Sequence, residues 1–139
     1  MVTLDHTPGQ EHVEARLRND LIVWLTSVRA DGRPHIVPVW FLWDGEDLLI
    51  LSKPENQKIK NIRRDPRVSL ALDDSKSGHD VVIFEGEATL LVEPAADIAP
   101  PAYAEKYAEL LREMNWSPTA IVEEYSQVIR VRPTRFITF

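Results

Sequence analysis

The 139-residue chain carries 16 Lys and Arg against 22 Asp and Glu, a net charge of −6, with 44% hydrophobic residues and no cysteine. That length suits one domain with a sizeable core; the acidic balance argues against general binding to nucleic acid or an anionic membrane; and the missing cysteines exclude disulfides, thiolate metal sites and a cysteine nucleophile. No apolar run approaches the ~18 residues of a membrane span, and the first twenty residues hold early acids and no apolar stretch of a secretory leader, so a cytoplasmic protein is expected.

Residues 1–9 read as a flexible arm and residues 10–139 as a single domain. A short helix is predicted over 10–19, with Val13 and Leu17 at i, i+4 spacing. Three strands follow, at 21–30, 35–44 and 47–52, separated by the tight-turn pairs Asp31-Gly32 and Asp44-Gly45, which predicts an antiparallel meander. In PVWFLW both faces of the strand carry large apolar groups, so both require cover. A closed barrel would cover one, and a partner subunit or a bound ring system the other.

A helix is predicted over 54–64, with Ser52 and Glu55 at capping-box spacing and Asp65-Pro66 as the stop. Strands at 67–73 and 81–93 come next, and Gly86 within the second hints at a bulge or a close backbone approach. Helices at 101–115 and 118–126 interrupt the β pattern before a last strand at 127–139. The expected architecture is mainly β: a six-stranded antiparallel split barrel with a few short helices.

No GxSxG, HExxH or GxxxxGK[ST] occurs, so hydrolase, zinc-protease and P-loop readings lack their residues. His6, His12, His35 and His79 are scattered, and no metal site is expected among them. Charge is uneven: between Lys53 and Arg67 stand six bases and two acids, leaving 10 bases and 20 acids elsewhere. This island suits a small anionic ligand or, equally, a solvated helix face. Within LSKPENQKIKNIRRDPRVSL (51–70), a strand end, Ser52, Lys53, Lys58 and a helix start converge. Such a junction would hold a phosphate through a hydroxyl, ammonium groups and unpaired helical N–H groups. The same residues also suit a plain helix cap with hydrated lysines, and the motif alone does not choose.

PVWFLWDGEDLLILSKPENQKIKNIRRDPRVSLAL (38–72) resembles the core of the pyridoxamine 5′-phosphate oxidase-like, FMN-binding split-barrel superfamily. ADGRPH (30–35), PAYAEKYAELLREMNWSP (101–118) and YSQVIRVRPTRF (125–136) resemble its flavin/deazaflavin-dependent oxidoreductase branch, the group of probable coenzyme F-420-dependent enzymes. The resemblance implies a homodimer with FMN or coenzyme F-420 at the subunit interface. It places the cofactor phosphate at Ser52, Lys53 and above all Lys58, the ring against Val37, Pro38, Val39 and Trp40, and Leu51 among the cofactor-binding residues. Trp116 or Arg135 of the partner would complete the pocket. The implied chemistry is hydride transfer to a small organic acceptor, with no catalytic side chain evident. Pyridoxamine phosphate oxidation itself is disfavoured, because the Arg-x-His arrangement of that enzyme is replaced by Arg130-Val131-Arg132. An FMN enzyme of the same fold and a non-catalytic cofactor carrier stand as alternatives.

Overall fold

Two aspartate-stabilised turns organise the first half of the chain. The Asp31 carboxylate accepts the Arg33 N–H at 3.0 Å, and the Asp44 carboxylate accepts those of Glu46 and Asp47 at 2.9 and 2.8 Å. The first turn joins β1 (Val23–Val28) to β2 (Pro34–Val39), and the second joins β3 (Leu42–Trp43) to β4 (Leu48–Ser52). The structure, a computed structural model, describes residues 8–73 and 75–138. The predicted arm at 1–9 lies outside them up to residue 7, and helix α1 already begins at its end, running Pro8–Asn19.

After β4 come α2 (Gln57–Arg64), β5 (Arg67–Leu72) and β6 (Val82–Leu90), then four short helices, α3 (Ala95–Ile98), α4 (Pro101–Lys106), α5 (Ala108–Glu113) and α6 (Pro118–Glu124), and finally β7 (Gln127–Thr138). The strands form one curled antiparallel sheet in the order β2-β1-β5-β6-β7-β4-β3. The mainly-β split barrel with a few short helices is therefore the observed fold. Its seventh strand arises because the expected strand 35–44 is broken in two.

That break also replaces the expected meander. β2 and β3 are the two opposite edges of the sheet, separated in the chain only by Trp40 and Phe41. The chain steps from one edge of the curl to the other within two residues, which makes the barrel split rather than closed. Leaving the ladder strands Phe41's backbone groups in a buried place, where an unpaired donor or acceptor is costly. The α4–α5 junction supplies the partners. The Phe41 N–H donates to the Tyr107 hydroxyl at 2.7 Å, and that hydroxyl lies 2.7 Å from the Leu21 carbonyl and 2.9 Å from the Phe41 carbonyl, its two available acceptors. Lys106 Nζ donates to the same Phe41 carbonyl at 2.8 Å while sitting 3.7 Å from the centre of the Phe41 ring. Burial pulls the Lys106 ammonium down to about 8, with the Asp20 carboxylate opposing.

Apolar alternation across the break divides the interior into two cores. Val39, Phe41 and Trp43 point into the barrel with Leu25, Leu48, Ile50, Phe84 and Ile129, beneath Ile59 and Ile62 of α2 and Val13 and Leu17 of α1. Trp40 and Leu42 point the other way, onto Tyr103, Tyr107, Leu111 and Ile121 of α4–α6. The outer face of this strand is thus covered by the chain's own helices, against the expectation that only a partner or a bound ring was available for it. The 101–115 helix expected from sequence is itself interrupted at Tyr107, whose φ of −104° and ψ of 12° leave the helical range. Gly86 sits at a register shift between β6 and β7, where an added Cβ would lie 2.7 Å from the Arg132 carbonyl oxygen, so both readings of that glycine hold. No helix among the described residues is long and apolar enough to cross a membrane.

Tyr107→Phe should lower the unfolding free energy by about 1–3 kcal/mol, the cost of leaving buried backbone groups at the break unpaired. Urea denaturation monitored by circular dichroism measures it; an unchanged midpoint would mean that the break is held by other contacts.

Candidate functional site

The break in the edge strand opens a cleft of about 330 Å³ between the barrel and the C-terminal helices. Pro38, Val39 and Trp40 from the end of β2, with Ile22 just before β1 and Leu51 of β4, form the barrel side. Tyr103 of α4, Met114 and Trp116 after α5, and Ile121 and Tyr125 at α6 form the helical side. Trp40 is held flat by stacking on Tyr107, with ring centroids 4.3 Å apart and planes within 2°, and Trp116 packs on Tyr125 at 5.9 Å. Burial pushes the Tyr103 phenol well above its ordinary range, so it remains protonated.

One charged side chain lines this apolar cleft: Lys58, the second residue of α2, which is 8% exposed. Burial lowers the affinity of its amine for a proton, and among the described residues it has no ion-pair or hydrogen-bond partner. With no opposing charge beside it, this ammonium is placed to pair with an anion entering from the cleft. A flat apolar group between the aromatic walls, carrying a phosphate at the Lys58 end, matches this donor set.

Of the residues singled out from the sequence, Pro38, Val39, Trp40, Leu51 and Lys58 line the cleft. Val37 does not: it lies opposite Leu25 and packs on the barrel core. Ser52 is fully buried, and its hydroxyl donates to the Lys53 carbonyl at 2.9 Å. The capping box expected there is absent, because residues 53–56 form a turn and α2 begins at Gln57 behind Asn56. Lys53 pairs with Glu124 at 3.2 Å and lies 5.6 Å from the centre of the Tyr125 ring, so its ammonium bridges to the end of α6. Trp116 comes to the cleft from this same chain, whereas Arg135 is exposed on β7 opposite Glu85. Glu85 and Glu87 are exposed on the sheet's outer face.

The sequence reading missed Ile22, Tyr103, Met114, Ile121 and Tyr125. Tyr103 and Ile121 belong to ordinary apolar helix stripes and Ile22, Met114 and Tyr125 to element ends, and neither signal distinguishes a cleft wall from a core. No group of three His, Asp or Glu side chains suited to a metal lies among the described residues.

The family model described as pyridoxamine 5′-phosphate oxidase matches residues 10–139. Among solved structures, an F-420 reductase is similar at 27% identity over 89% of this chain and 94% of that one, with a TM-score of 0.67. A conserved hypothetical protein from Mycobacterium tuberculosis shares 24% identity over 100% and 88% of the two chains, with a TM-score of 0.72. The heme storage protein HutZ from Vibrio cholerae shares 15% over 99% and 95%, with a TM-score of 0.64. The last two resemblances speak to the fold alone.

Lys58→Met should leave the ligand-free protein as stable as the wild type or more stable by up to about 1 kcal/mol, since it keeps the apolar stem and removes an ammonium whose protonation burial disfavours. Thermal and urea unfolding without ligand check this; a loss of stability would mean that the ammonium has a stabilising partner.

Proposed function

Because the chain belongs to the pyridoxamine 5′-phosphate oxidase family, we propose that it is an oxidoreductase that holds a phosphate-bearing flavin or deazaflavin in the cleft between Trp40 and Trp116. The observation that carries this reading is the lone unpaired ammonium of Lys58 at one end of an aromatic-walled slot. Lys58 would bind the phosphate, Pro38, Val39 and Trp40 would flank the ring, and Trp116 and Tyr125 would exclude water from it. The cofactor, when bound, supplies hydride transfer to a small organic acceptor. The chain's part is orientation and desolvation, in keeping with a cleft lined, among the described residues, by no carboxylate and no imidazole.

Coenzyme F-420 is the favoured cofactor, on the 27% identity with an F-420 reductase and on the basic residues gathered around α2. FMN is the second reading, since one phosphate suffices for Lys58. A homodimer is part of the proposal. Ile22, Trp24 and Ile36 are 39%, 41% and 58% exposed on the side of the β1–β2 ribbon that carries Pro38, and Ile22 and Pro38 also line the cleft. This apolar strip therefore runs into the mouth of the cleft, where a second subunit would complete its wall.

Titration of the purified protein with F-420 and with FMN, followed by the absorbance of the ring, should give saturable binding of at least one. Lys58→Met should weaken it by about tenfold or more, the loss of a charge-assisted phosphate bond. If neither ring binds, the reading fails.

A further inference from the structure

Met114 and Trp116 both line the cleft, although they stand only two residues apart where α5 ends. Side chains at that spacing on a continuing α-helix diverge by ~200° and cannot share a wall. Between them stands Asn115, with a φ of 61°; it and Lys76 are the two described residues other than glycine in the left-handed region. Two hydrogen bonds close the turn. The Trp116 N–H donates to the Leu111 carbonyl at 2.9 Å, and the Asn115 N–H donates to the Arg112 carbonyl at 3.1 Å. This is the pair of bonds by which a single left-handed residue reverses a chain as it leaves a helix.

The reversal is fixed from both sides. Met114 closes α5 at φ −86° and ψ −4°, and Ser117 opens α6, its hydroxyl accepting the Ala120 N–H at 3.0 Å. Asn115 and Trp116 alone lie between these two helix ends, so the direction of the indole follows from the backbone angles of Asn115. The indole lands on Tyr125, with ring centroids 5.9 Å apart, against the apolar cluster of α4–α6. The Asn115 side chain takes no part in this: it is exposed and makes no hydrogen bond among the described residues. Its use is conformational, since a short polar side chain tolerates the left-handed region far better than a branched or bulky one.

We infer that Asn115 is a positioning residue for the cleft: its left-handed backbone aims Met114 and Trp116 together at the bound ring and thereby sets the affinity for that ring. This role rests on the cofactor reading above and concerns the ring alone, because the phosphate is assigned to Lys58 on α2, outside this turn. Glycine, at ease at positive φ, keeps the turn in place of Asn115. Alanine strains it, and valine, branched at Cβ, forces the chain out of it. Trp116 then leaves Tyr125, and the ring loses one of its two indole neighbours while the ammonium at the other end of the slot stays where it is.

Titration of the wild type, Asn115→Gly, Asn115→Ala and Asn115→Val with FMN and with F-420 tests it, each variant first checked for native circular dichroism. For whichever ring binds, the glycine variant should match the wild type within about twofold, and the valine variant should bind about tenfold or more weakly, with alanine between them. Combining Asn115→Val with Lys58→Met should multiply the two losses, since one change acts on the ring and the other on the phosphate. Should the valine variant fail to fold, the alanine variant carries the comparison with glycine. Folded alanine and valine variants that bind as tightly as the wild type overturn the role of Asn115 and leave the cofactor reading intact. A glycine variant as weak as the valine one also overturns it, by placing the effect in the side chain rather than the backbone. A double variant no weaker than Asn115→Val alone overturns it too, because the cleft as a whole would then have been lost. If the wild type binds neither ring, the cofactor reading falls and this role falls with it.

Discussion

A polypeptide cannot leave a β-ladder inside a protein without somewhere to put the hydrogen bonds it abandons. Here the chain leaves at Phe41, and the hydroxyl of Tyr107 with the ammonium of Lys106 receives both of that residue's backbone groups. The consequences spread in two directions. On the barrel side, Phe41 can turn its ring into the core while β3 begins on the far edge of the sheet. On the helical side, Tyr107 must interrupt the 101–115 segment to bring its hydroxyl to the break, and Trp40 is left stacked upon its ring.

The cleft is a by-product of the same arrangement. Because Trp40 faces the helices and Pro38 and Val39 precede the break, the end of β2 forms one wall, and the loop after α5 forms the other. Among the described residues, the one charged side chain of this space stands at one end, on Lys58, with no opposing acid lining the cleft beside it. Such an arrangement leaves a charge open to an anionic visitor.

Much of the framework was legible in the residues. Asp-Gly turns, β-branched runs and the Asp65-Pro66 stop located the strands and the α2 helix, because each acts over a few neighbouring residues. The split of the 35–44 strand was not legible, since its cause is a tyrosine 66 residues further along the chain. Ser52 looked like a cap because serine before an acidic first turn usually is one; its hydroxyl is taken instead by the carbonyl next door, and the helix starts beyond it. The resemblance already favoured Lys58 over Lys53 for the phosphate, but not for a reason of surroundings. The fold supplies that reason, pairing the first with Glu124 and largely burying the second in the cleft wall.

The edge strand β2 carries one further consequence. Pro34 and Pro38 stand at alternate positions with Ile36 between them, on a strand that has β1 on one flank only. Prolines that sit in a paired strand turn their missing amides away from the partner, so of the three amide positions on the free flank only Ile36 retains a hydrogen to offer. An incoming strand, from a misfolded neighbour or a growing fibril, would find almost no donors to zip onto. The exposed apolar side chains of Trp24 and Ile36 at this margin are thereby flanked by a backbone with little to offer an added strand, and a surface docking there would meet them face to face.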